Sequence, residues 1–386
     1  MTPARRVLSL ILLGGVFVLE GYDIAAMALA VPRLDAALGL PPTSFGWVFS
    51  ALLIGLGAGG ALIAPLGDRL GRRPLIAFGC VAVALFTLFT ATASTITEFL
   101  VWRLLTGIAF GAVLPNVSAL SAELAPERLR ATIMAVVSAG IPLGLAVAGI
   151  FAPEVIAVGG WQGLFVVPGL AAAALAIALG YILASGPPEG DTAPGPRAAR
   201  LPQFELFKAP WLLPFAVFAA MLSLNAMNLY YLNSWVPTVL PLAGFTLDDA
   251  ARVSGIVQLA GLAIGIAASF GIDRWRPTAP EPMRWTLLLM VGVGGASAGG
   301  MALPALCAYL FPPRLLSSAI GMGVLVARIG AIAGPPVGGL MLGAGVSPGA
   351  YFAFAALPAM LCAIAALAVP VALAVRARQD TAVATA

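Results

Sequence analysis

The sequence contains no histidine and has few charged residues. Only 9% of its 386 residues are charged, against about 25% in an average soluble domain. Without histidine, Ser-His-Asp and Cys-His catalysis and histidine-ligated metals are excluded. The three cysteines, Cys80, Cys307 and Cys362, lie far apart in apolar segments and form neither a disulfide framework nor a CxxC metal motif. The composition therefore excludes a soluble fold, and it predicts no enzyme and no resident metal or cofactor.

Apolar residues are abundant instead and make up 61% of the chain. Runs long enough to span a bilayer lie at residues 7–31, 44–66, 74–93, 98–121, 131–156 and 161–185, and then at 211–240, 249–271, 285–311, 315–343 and 349–375. The first run continues without a small-residue cleavage site, so we interpret it as a membrane helix and not as a removed signal. These runs predict an all-α polytopic membrane protein with about eleven transmembrane helices.

The runs also predict a domain organisation. A six-helix bundle at residues 1–185 precedes a cytoplasmic linker at 186–210, which is rich in Pro, Gly, Ala and charge. A C-terminal bundle at 211–386 follows, with five countable helices. The net charge is only +4, and the arginines lie between apolar runs, so they indicate membrane topology and no nucleic-acid partner.

The two halves repeat each other, which is typical of transporters built from duplicated, pseudo-symmetric helical bundles. The segment GDRLGRRP at residues 67–74 returns as GIDRWRP at 271–277, and GAVLP at 111–115 returns as GMALP at 300–304. The spacing between the two motifs differs between the halves, because Asp68 lies 46 positions before Leu114 whereas Asp273 lies 30 positions before Leu303. We therefore predict that the counterpart of the third helix, the usual ninth, is missing.

The distribution of arginines indicates a twelve-helix ancestor that has lost most of its ninth helix. In a twelve-helix arrangement with a cytoplasmic N-terminus, only Arg33 and Arg252 fall on the outer side. A literal eleven-helix count would move Arg314, Arg376 and Arg378 outside as well. We expect a protein of the bacterial inner membrane, and a monomer, although the missing helix leaves room for a partner chain.

Four charged residues lie inside apolar runs, where each is costly and therefore a functional candidate. They are Glu20, Asp23, Arg103 and Arg328. Glu20 and Asp23 share one face of the first helix. At about 1.5 Å per residue, Asp23 lies roughly 24 Å and Arg103 roughly 27 Å from the cytoplasmic side, so the two can face each other. We predict that Asp23, Glu20 and Arg103 couple transport to protons; a static buried ion pair is the alternative.

A second group of residues is predicted to bind substrate. Arg328 has no acidic neighbour in its own run, so its partner is either a substrate carboxylate or backbone carbonyls. Asn228, Tyr231 and Trp235 lie in an unusually polar and aromatic helix, which predicts either the wall of a pocket for an aromatic ring or an interfacial aromatic belt. Polar residues within two other apolar runs either bind the ligand or join helices: Asn116 and Gln258.

The loop between the second and third runs is predicted to gate the conformational change. Glycine permits a tight turn, and the charges can hold neighbouring helix ends. Its residues and their repeat in the second half are Gly67, Asp68, Arg69, Gly71, Arg72, Asp273 and Arg274. Positive-inside arginines alone would explain the basic residues but not the recurring Asp-Arg order.

These segments resemble a known family. The loop GDRLGRR at 67–73 looks like the signature between helices two and three of the major facilitator superfamily, and RLLTG at 103–107 looks like its helix-four arginine motif. Similarity to the bacterial aromatic acid/proton symporters lies in GYD at 21–23, LPN at 114–116, SAE at 121–123, SWVPT at 234–238 and ARIG at 327–330.

The resemblance implies two bundles that alternate access to a midplane site. It further implies that Asp23 takes part in substrate and proton coupling, and that Arg103 and Arg328 support transport of a carboxylate. One departure is Glu20, which stands where the family's helix-one motif usually begins with Asp.

The sequence thus predicts proton-coupled import of a small aromatic or related carboxylate, such as a hydroxybenzoate. Proton-driven export of a small organic compound is one alternative, because GIPLG at 140–144 resembles in part the helix-five motif of antiporters. A transport-inactive sensor or remnant is another alternative, motivated by the missing helix.

Overall fold

The computed structural model of the chain describes residues 3–184, 202–260 and 310–372, together with residue 307. Most of the predicted linker and most of the predicted run at 285–311 lie outside the described residues. The repeated motif with Asp273 and Arg274 also lies outside them.

The described chain is helical, and its first half contains helices close to the predicted spans. Their bounds are α1 Pro3–Leu38, α2 Gly46–Leu62, α3 Arg72–Thr90, α4 Ile96–Leu124, α5 Arg130–Ser138 and α6 Gly140–Ala184. Helix α1 continues beyond the predicted end at Val31, through Pro32 to Leu38. The apolar pattern marks only the part of a helix that lipid surrounds, and the end of α1 carries Arg33 and Asp35.

Helix α6 comprises two crossings. It has 45 residues, which corresponds to about 68 Å and exceeds twice the thickness of a bilayer core. Gly160 breaks it with a φ of 61° and a ψ of −165°, a conformation that glycine adopts without strain. The break lies between the predicted runs 131–156 and 161–185.

The second half contains α7 Leu212–Leu242, a helix α8 over residues 247–260, α9 Pro313–Gly343 and α10 Pro348–Leu367. Eight stretches among the described residues are long and apolar enough to cross a membrane. The predicted total of eleven and the missing ninth helix depend on residues 261–306, which lie outside the described part, and both stay predictions.

The chain forms two compact units, and their composition differs from the two halves of the sequence. The first contains residues 1–193 and also two segments of the second half, Asn233–Leu259 and Pro335–Pro348. The second contains the rest, Pro194–Leu232, Ala260–Gly334 and Gly349–Ala386.

Glycines bring the helices of the first unit into backbone contact. A Cβ added at Gly21 of α1 would collide with the backbone carbonyl of Ile141, and one at Gly107 of α4 would collide with that of Leu52. Only glycine permits this approach, as is usual between membrane helices. These close approaches pair α1 with α6 and α4 with α2.

Candidate functional site

Two membrane-embedded charges form an ion pair in the first unit. Nη1 of Arg103 on α4 donates to Oδ2 of Asp23 on α1 at 2.7 Å, and Nη2 donates to the backbone carbonyl of Asp23 at 3.2 Å. Each side chain is 1% exposed. The structure therefore brings together the two charges that the depth argument placed at similar levels.

Thr87 of α3 adds a contact that the sequence analysis missed. Its hydroxyl donates to Oδ1 of Asp23 at 3.4 Å, and the side chain is buried. Both carboxylate oxygens therefore have a donor, one charged and one neutral. A lone threonine in an apolar helix has no sequence signal, because its hydroxyl usually bonds back to its own helix.

Glu20 lies three residues before Asp23 on α1 and is also buried. Positions i and i+3 lie on the same face of a helix. Two carboxyl groups thus share this face of α1, and one arginine pairs with the second of them. Buried carboxyl groups at neighbouring turns are groups that can exchange protons.

The predicted gating loop carries a charge cluster. Arg72 donates from Nη2 to Oδ1 of Asp68 at 2.9 Å, and its Nη1 is paired with Glu123 at the end of α4. Gly71, before α3, has a φ of 94°, which favours glycine over any L side chain. The cluster connects the loop to α4, whereas Arg69 is exposed beside it.

Asn116 and Gly67, predicted to act separately, contact each other. The amide Nδ2 of Asn116 donates to the carbonyls of Ala64 and Ala112 at 3.0 and 2.9 Å. A Cβ at Gly67 would overlap Oδ1 of Asn116. These contacts correspond to the helix-joining alternative, in which Asn116 holds the loop that begins at Gly67.

Trp235 and Gln258 belong to the first unit. The indole of Trp235 is fully buried, donates to the carbonyl of Pro335 at 2.8 Å and packs edge-on against Phe49. The indole is thus enclosed between α2 and the segment at Pro335. Nε2 of Gln258 on α8 donates to Oδ1 of Asn233 on α7 at 2.7 Å, which joins two helices.

The second unit contains the remaining predicted substrate residues. Tyr231 stacks on Tyr351 with ring centroids 4.7 Å apart, and its hydroxyl donates to the Tyr351 carbonyl at 3.0 Å. Asn228, one turn earlier on α7, is buried, and its Oδ1 has no hydrogen-bond partner among the described residues. Buried polar atoms are normally paired, so this oxygen is available to a ligand.

Arg328 lies on α9 of the same unit and is half-buried. Next to it, Gly330 packs against the backbone of Ser223 on α7. No carboxylate lies within ion-pair distance of Arg328 in the part of the chain that the structure describes. A half-buried guanidinium with no carboxylate beside it among the described residues can bind an anionic ligand.

No metal-binding group of histidine, cysteine or acidic residues occurs within residues 3–184, 202–260 and 310–372.

Comparison with known proteins identifies the family. Residues 12–309 match the sequence profile of the Major Facilitator Superfamily. The chain belongs to this superfamily. As a superfamily member it is a multi-pass membrane transporter and not an enzyme.

Relatives with named substrates cover nearly the whole chain. A gallate transporter of Pseudomonas putida is 28% identical, over 95% of this chain and 92% of that protein. A 4-hydroxybenzoate transporter of Pseudomonas aeruginosa is 27% identical, over 90% of this chain and 89% of that protein. A 3-(3-hydroxy-phenyl)propionate transporter of Escherichia coli is 29% identical, over 89% of each chain. All three relatives are named for aromatic acids, which agrees with the resemblance seen in the motifs.

Solved structures show the same fold. A bacterial homolog of the human lysosomal transporter Spinster, in an inward-facing and unoccupied conformation, matches with a TM-score of 0.72 at 17% identity, over 97% of this chain and 96% of that chain. A D-xylose-proton symporter matches with a TM-score of 0.70 at 17% identity, over 94% and 97%.

Proposed function

We propose that this transporter imports a small aromatic carboxylate together with protons. The observation that carries the proposal is the buried pair of Asp23 and Arg103, 2.7 Å apart and each 1% exposed, in a chain whose relatives are named for aromatic acids. A membrane-embedded ion pair is costly and marks ion or proton pathways in transporters.

Protonation of Asp23 is the coupling step in this proposal. When Asp23 is ionised, Arg103 and Thr87 donate to its two oxygens. When it is protonated, its ion pair with Arg103 is lost, and breaking a buried pair costs about 3–5 kcal/mol in comparable cases. In this proposal Arg103 responds to the loss of the pair, while the substrate carboxylate binds Arg328.

Glu20 extends the proton site. It stands one turn from Asp23 on the same buried face of α1. A proton that leaves Asp23 can move to Glu20 because the two carboxyl groups lie on neighbouring turns. Glu20 thereby takes part in proton coupling beside Asp23.

Arg328, Asn228 and Tyr231 are proposed to bind the substrate. The guanidinium of Arg328 binds the carboxylate as a charge-assisted, bidentate pair. Oδ1 of Asn228, which lacks a partner among the described residues, accepts a hydrogen bond from a ring hydroxyl. Tyr231 and its stacked neighbour Tyr351 offer aromatic surface of the kind that a planar ring packs against.

We also propose the topology that the sequence predicts. The N-terminus and the linker at 186–210 lie in the cytoplasm of a bacterial inner membrane, the chain has eleven helices without the usual ninth, and it acts as a monomer. The loop cluster around Arg72 gates the cytoplasmic side. Cysteine labelling at Arg6→Cys from either side of the membrane tests the orientation, with labelling from inside as the expected result.

The test of function is uptake of labelled 3- and 4-hydroxybenzoate into proteoliposomes, with an imposed inward proton gradient and with or without a protonophore. We expect accumulation that requires the gradient, disappears with the protonophore and is abolished by Asp23→Asn. Asp35→Asn, an exposed acid on the same helix, is the matched control and should transport like the unaltered protein.

Two other results would overturn the proposal. Efflux that needs a gradient in the opposite sense would identify a proton-driven exporter. Specific binding of the acids without flux, by a folded and inserted protein, would identify a sensor or an inactive remnant.

A further inference from the structure

The hydroxyl of Ser223 on α7 is bonded to a neighbouring helix. Its Oγ accepts a hydrogen bond from the backbone N–H of Gly330 on α9 at 3.1 Å, and it donates to the carbonyl of Val326 on α9 at 3.5 Å. One side chain is thus joined to two backbone groups of α9. All three residues belong to the second compact unit.

Serine hydroxyls in other helices of this chain have a different partner. Ser9 of α1 donates to the carbonyl of Arg5 at 2.9 Å, and Ser254 of α8 donates to that of Ala250 at 2.7 Å. Each bonds to the residue four positions earlier in its own helix, which is a common arrangement for serine within a helix. The hydroxyl of Ser223 departs from this pattern, and its bonds tie α7 to α9.

The two groups that Ser223 contacts are bonded to each other in a regular helix. Each N–H of an α-helix donates to the carbonyl four residues earlier, so the N–H of Gly330 has the carbonyl of Val326 as its regular partner. A side chain that inserts between such groups is one of the known causes of local bending. Ser223 therefore acts on the backbone of a single turn of α9, at residues 326–330.

Glycine at position 330 permits this contact. An added Cβ there would overlap the backbone oxygen of Ser223 and would lie 2.7 Å from its Oγ. One turn further along α9, an added Cβ at Gly334 would lie 2.6 Å from the carbonyl oxygen of Met227 on α7. The backbones of α7 and α9 are therefore in close contact over two successive turns, and a larger residue at 330 would separate the hydroxyl of Ser223 from α9.

Arg328 lies in the middle of the turn that Ser223 contacts. It is two residues from Val326 and two residues from Gly330. A guanidinium pairs with a carboxylate in a bidentate geometry that requires the two planar groups to be aligned. A shift of the turn at 326–330 would therefore change the alignment of Arg328 with an anion.

We propose that Ser223 is a positioning residue for Arg328. Its hydroxyl fixes the turn at residues 326–330 and thereby aligns the guanidinium with the substrate carboxylate. The inference rests on the proposed function, because it takes Arg328 as the group that binds the carboxylate. Ser223 acts through the backbone of α9, whereas Arg328 contacts the substrate itself.

The first test needs no substrate. Hydrogen–deuterium exchange of the whole protein in detergent is followed by mass spectrometry in peptides that cover residues 326–330. Ser223→Ala removes the hydroxyl that accepts from the N–H of Gly330, so exchange in this turn should become about threefold faster or more. Ser254→Ala removes a hydroxyl that bonds within its own helix, and this matched control should leave exchange at 326–330 unchanged.

The second test compares binding of 4-hydroxybenzoate with binding of 4-hydroxybenzamide, which has no carboxylate. Ser223→Ala should weaken binding of the acid by about three- to tenfold and leave binding of the amide nearly unchanged, because only the acid forms an ion pair with Arg328. In an Arg328→Gln background, Ser223→Ala should have no further effect on the acid, because residues that act together have non-additive effects. Ser254→Ala should bind the acid like the unaltered protein.

Unchanged exchange at 326–330 in Ser223→Ala would overturn the inference. Equal weakening of acid and amide would also overturn it, because a merely structural role would affect both ligands. If Arg328→Gln weakens binding of the acid and Ser223→Ala does not, the positioning role fails while the proposed function stands. If the unaltered protein binds no acid, or Arg328→Gln binds it as tightly, the proposed role of Arg328 fails and the positioning role fails with it.

Discussion

Ion pairs of the same chemistry occur in two environments within the first compact unit. Asp23 and Arg103 are each 1% exposed, whereas Glu154 and Arg252 are more than half exposed. In water, breaking a pair replaces it with hydration, and the cost is about 0.2–1 kcal/mol. In the membrane core, a broken pair leaves a bare charge, and the cost is about 3–5 kcal/mol.

The difference assigns the two kinds of pair to different tasks. A buried pair can be broken only when something else neutralises its charges, so it makes conformational change dependent on a proton or an anion. An exposed pair opens readily and can serve only to bias one conformation. Breaking the buried pair should therefore affect the protein far more than breaking an exposed pair.

Removal of one buried partner should have the largest effect. Arg103→Gln leaves the Asp23 carboxylate buried without its counter-charge, so we expect a loss of about 3 kcal/mol or more in stability and no gradient-driven uptake. Thermal unfolding in detergent and proteoliposome uptake measure the two effects. The double variant with Asp23→Asn should regain much of the stability but none of the coupled uptake. An Arg103→Gln protein that unfolds like the unaltered one would contradict the buried-pair argument.

Arg328→Gln tests a cation that has no ion-pair partner among the described residues. Because Arg328 makes no ion pair with any residue that the structure describes, we expect stability to stay unchanged. Affinity for 4-hydroxybenzoate should fall about tenfold or more, as expected for loss of a charge-assisted hydrogen bond. Equilibrium binding and thermal unfolding separate the two effects. Arg128→Gln, an exposed arginine before α5, is the control. Unchanged affinity with reduced stability would assign Arg328 to structure.

Thr87→Val removes the neutral donor to Asp23 while it keeps the ion pair. Loss of one hydrogen bond of about 0.5–1.5 kcal/mol should slow coupled uptake by about three- to tenfold. Thr87→Ser retains the hydroxyl and should transport nearly normally. Initial uptake rates at a fixed proton gradient measure the effect. Equal uptake rates for the valine and serine variants would show that the Thr87 hydroxyl takes no part in proton coupling.

The smallest effect on stability should come from the exposed pairs. Arg252→Gln should change the free energy of unfolding by less than about 1 kcal/mol. Arg33→Gln should cost more, because Arg33, which pairs with Asp248, is only 13% exposed and also donates to the Leu29 carbonyl at 3.1 Å. Thermal unfolding ranks the two variants. A larger loss of stability from Arg252→Gln than from Arg103→Gln would contradict the claim that the buried pair contributes more than the exposed pair.

Much of the first half follows from sequence because lipid imposes a simple rule. Apolar length predicts the spans, and counting residues along two helices is enough to place Asp23 and Arg103 at one level. The break at Gly160 also lies between two predicted runs. These features depend on one helix at a time.

Contacts that depend on which helices pack side by side could not be predicted from the sequence. The contact of Thr87 with Asp23 requires knowledge that α3 packs beside α1 at that height. Trp235 illustrates the same limit, because a buried, hydrogen-bonded indole and an interfacial one have the same sequence signal. The partners of Arg33 and Arg252 lie 215 and 98 positions away, and no periodicity connects them.

The central claim is that Asp23 carries a proton together with each substrate anion. It can be tested by adding 4-hydroxybenzoate to a weakly buffered suspension of proteoliposomes and recording external pH while labelled substrate enters. We predict that the external pH rises as the substrate enters, and that neither change occurs with Asp23→Asn. Substrate entry without a pH change, or an equal pH rise with Asp23→Asn, would contradict the claim.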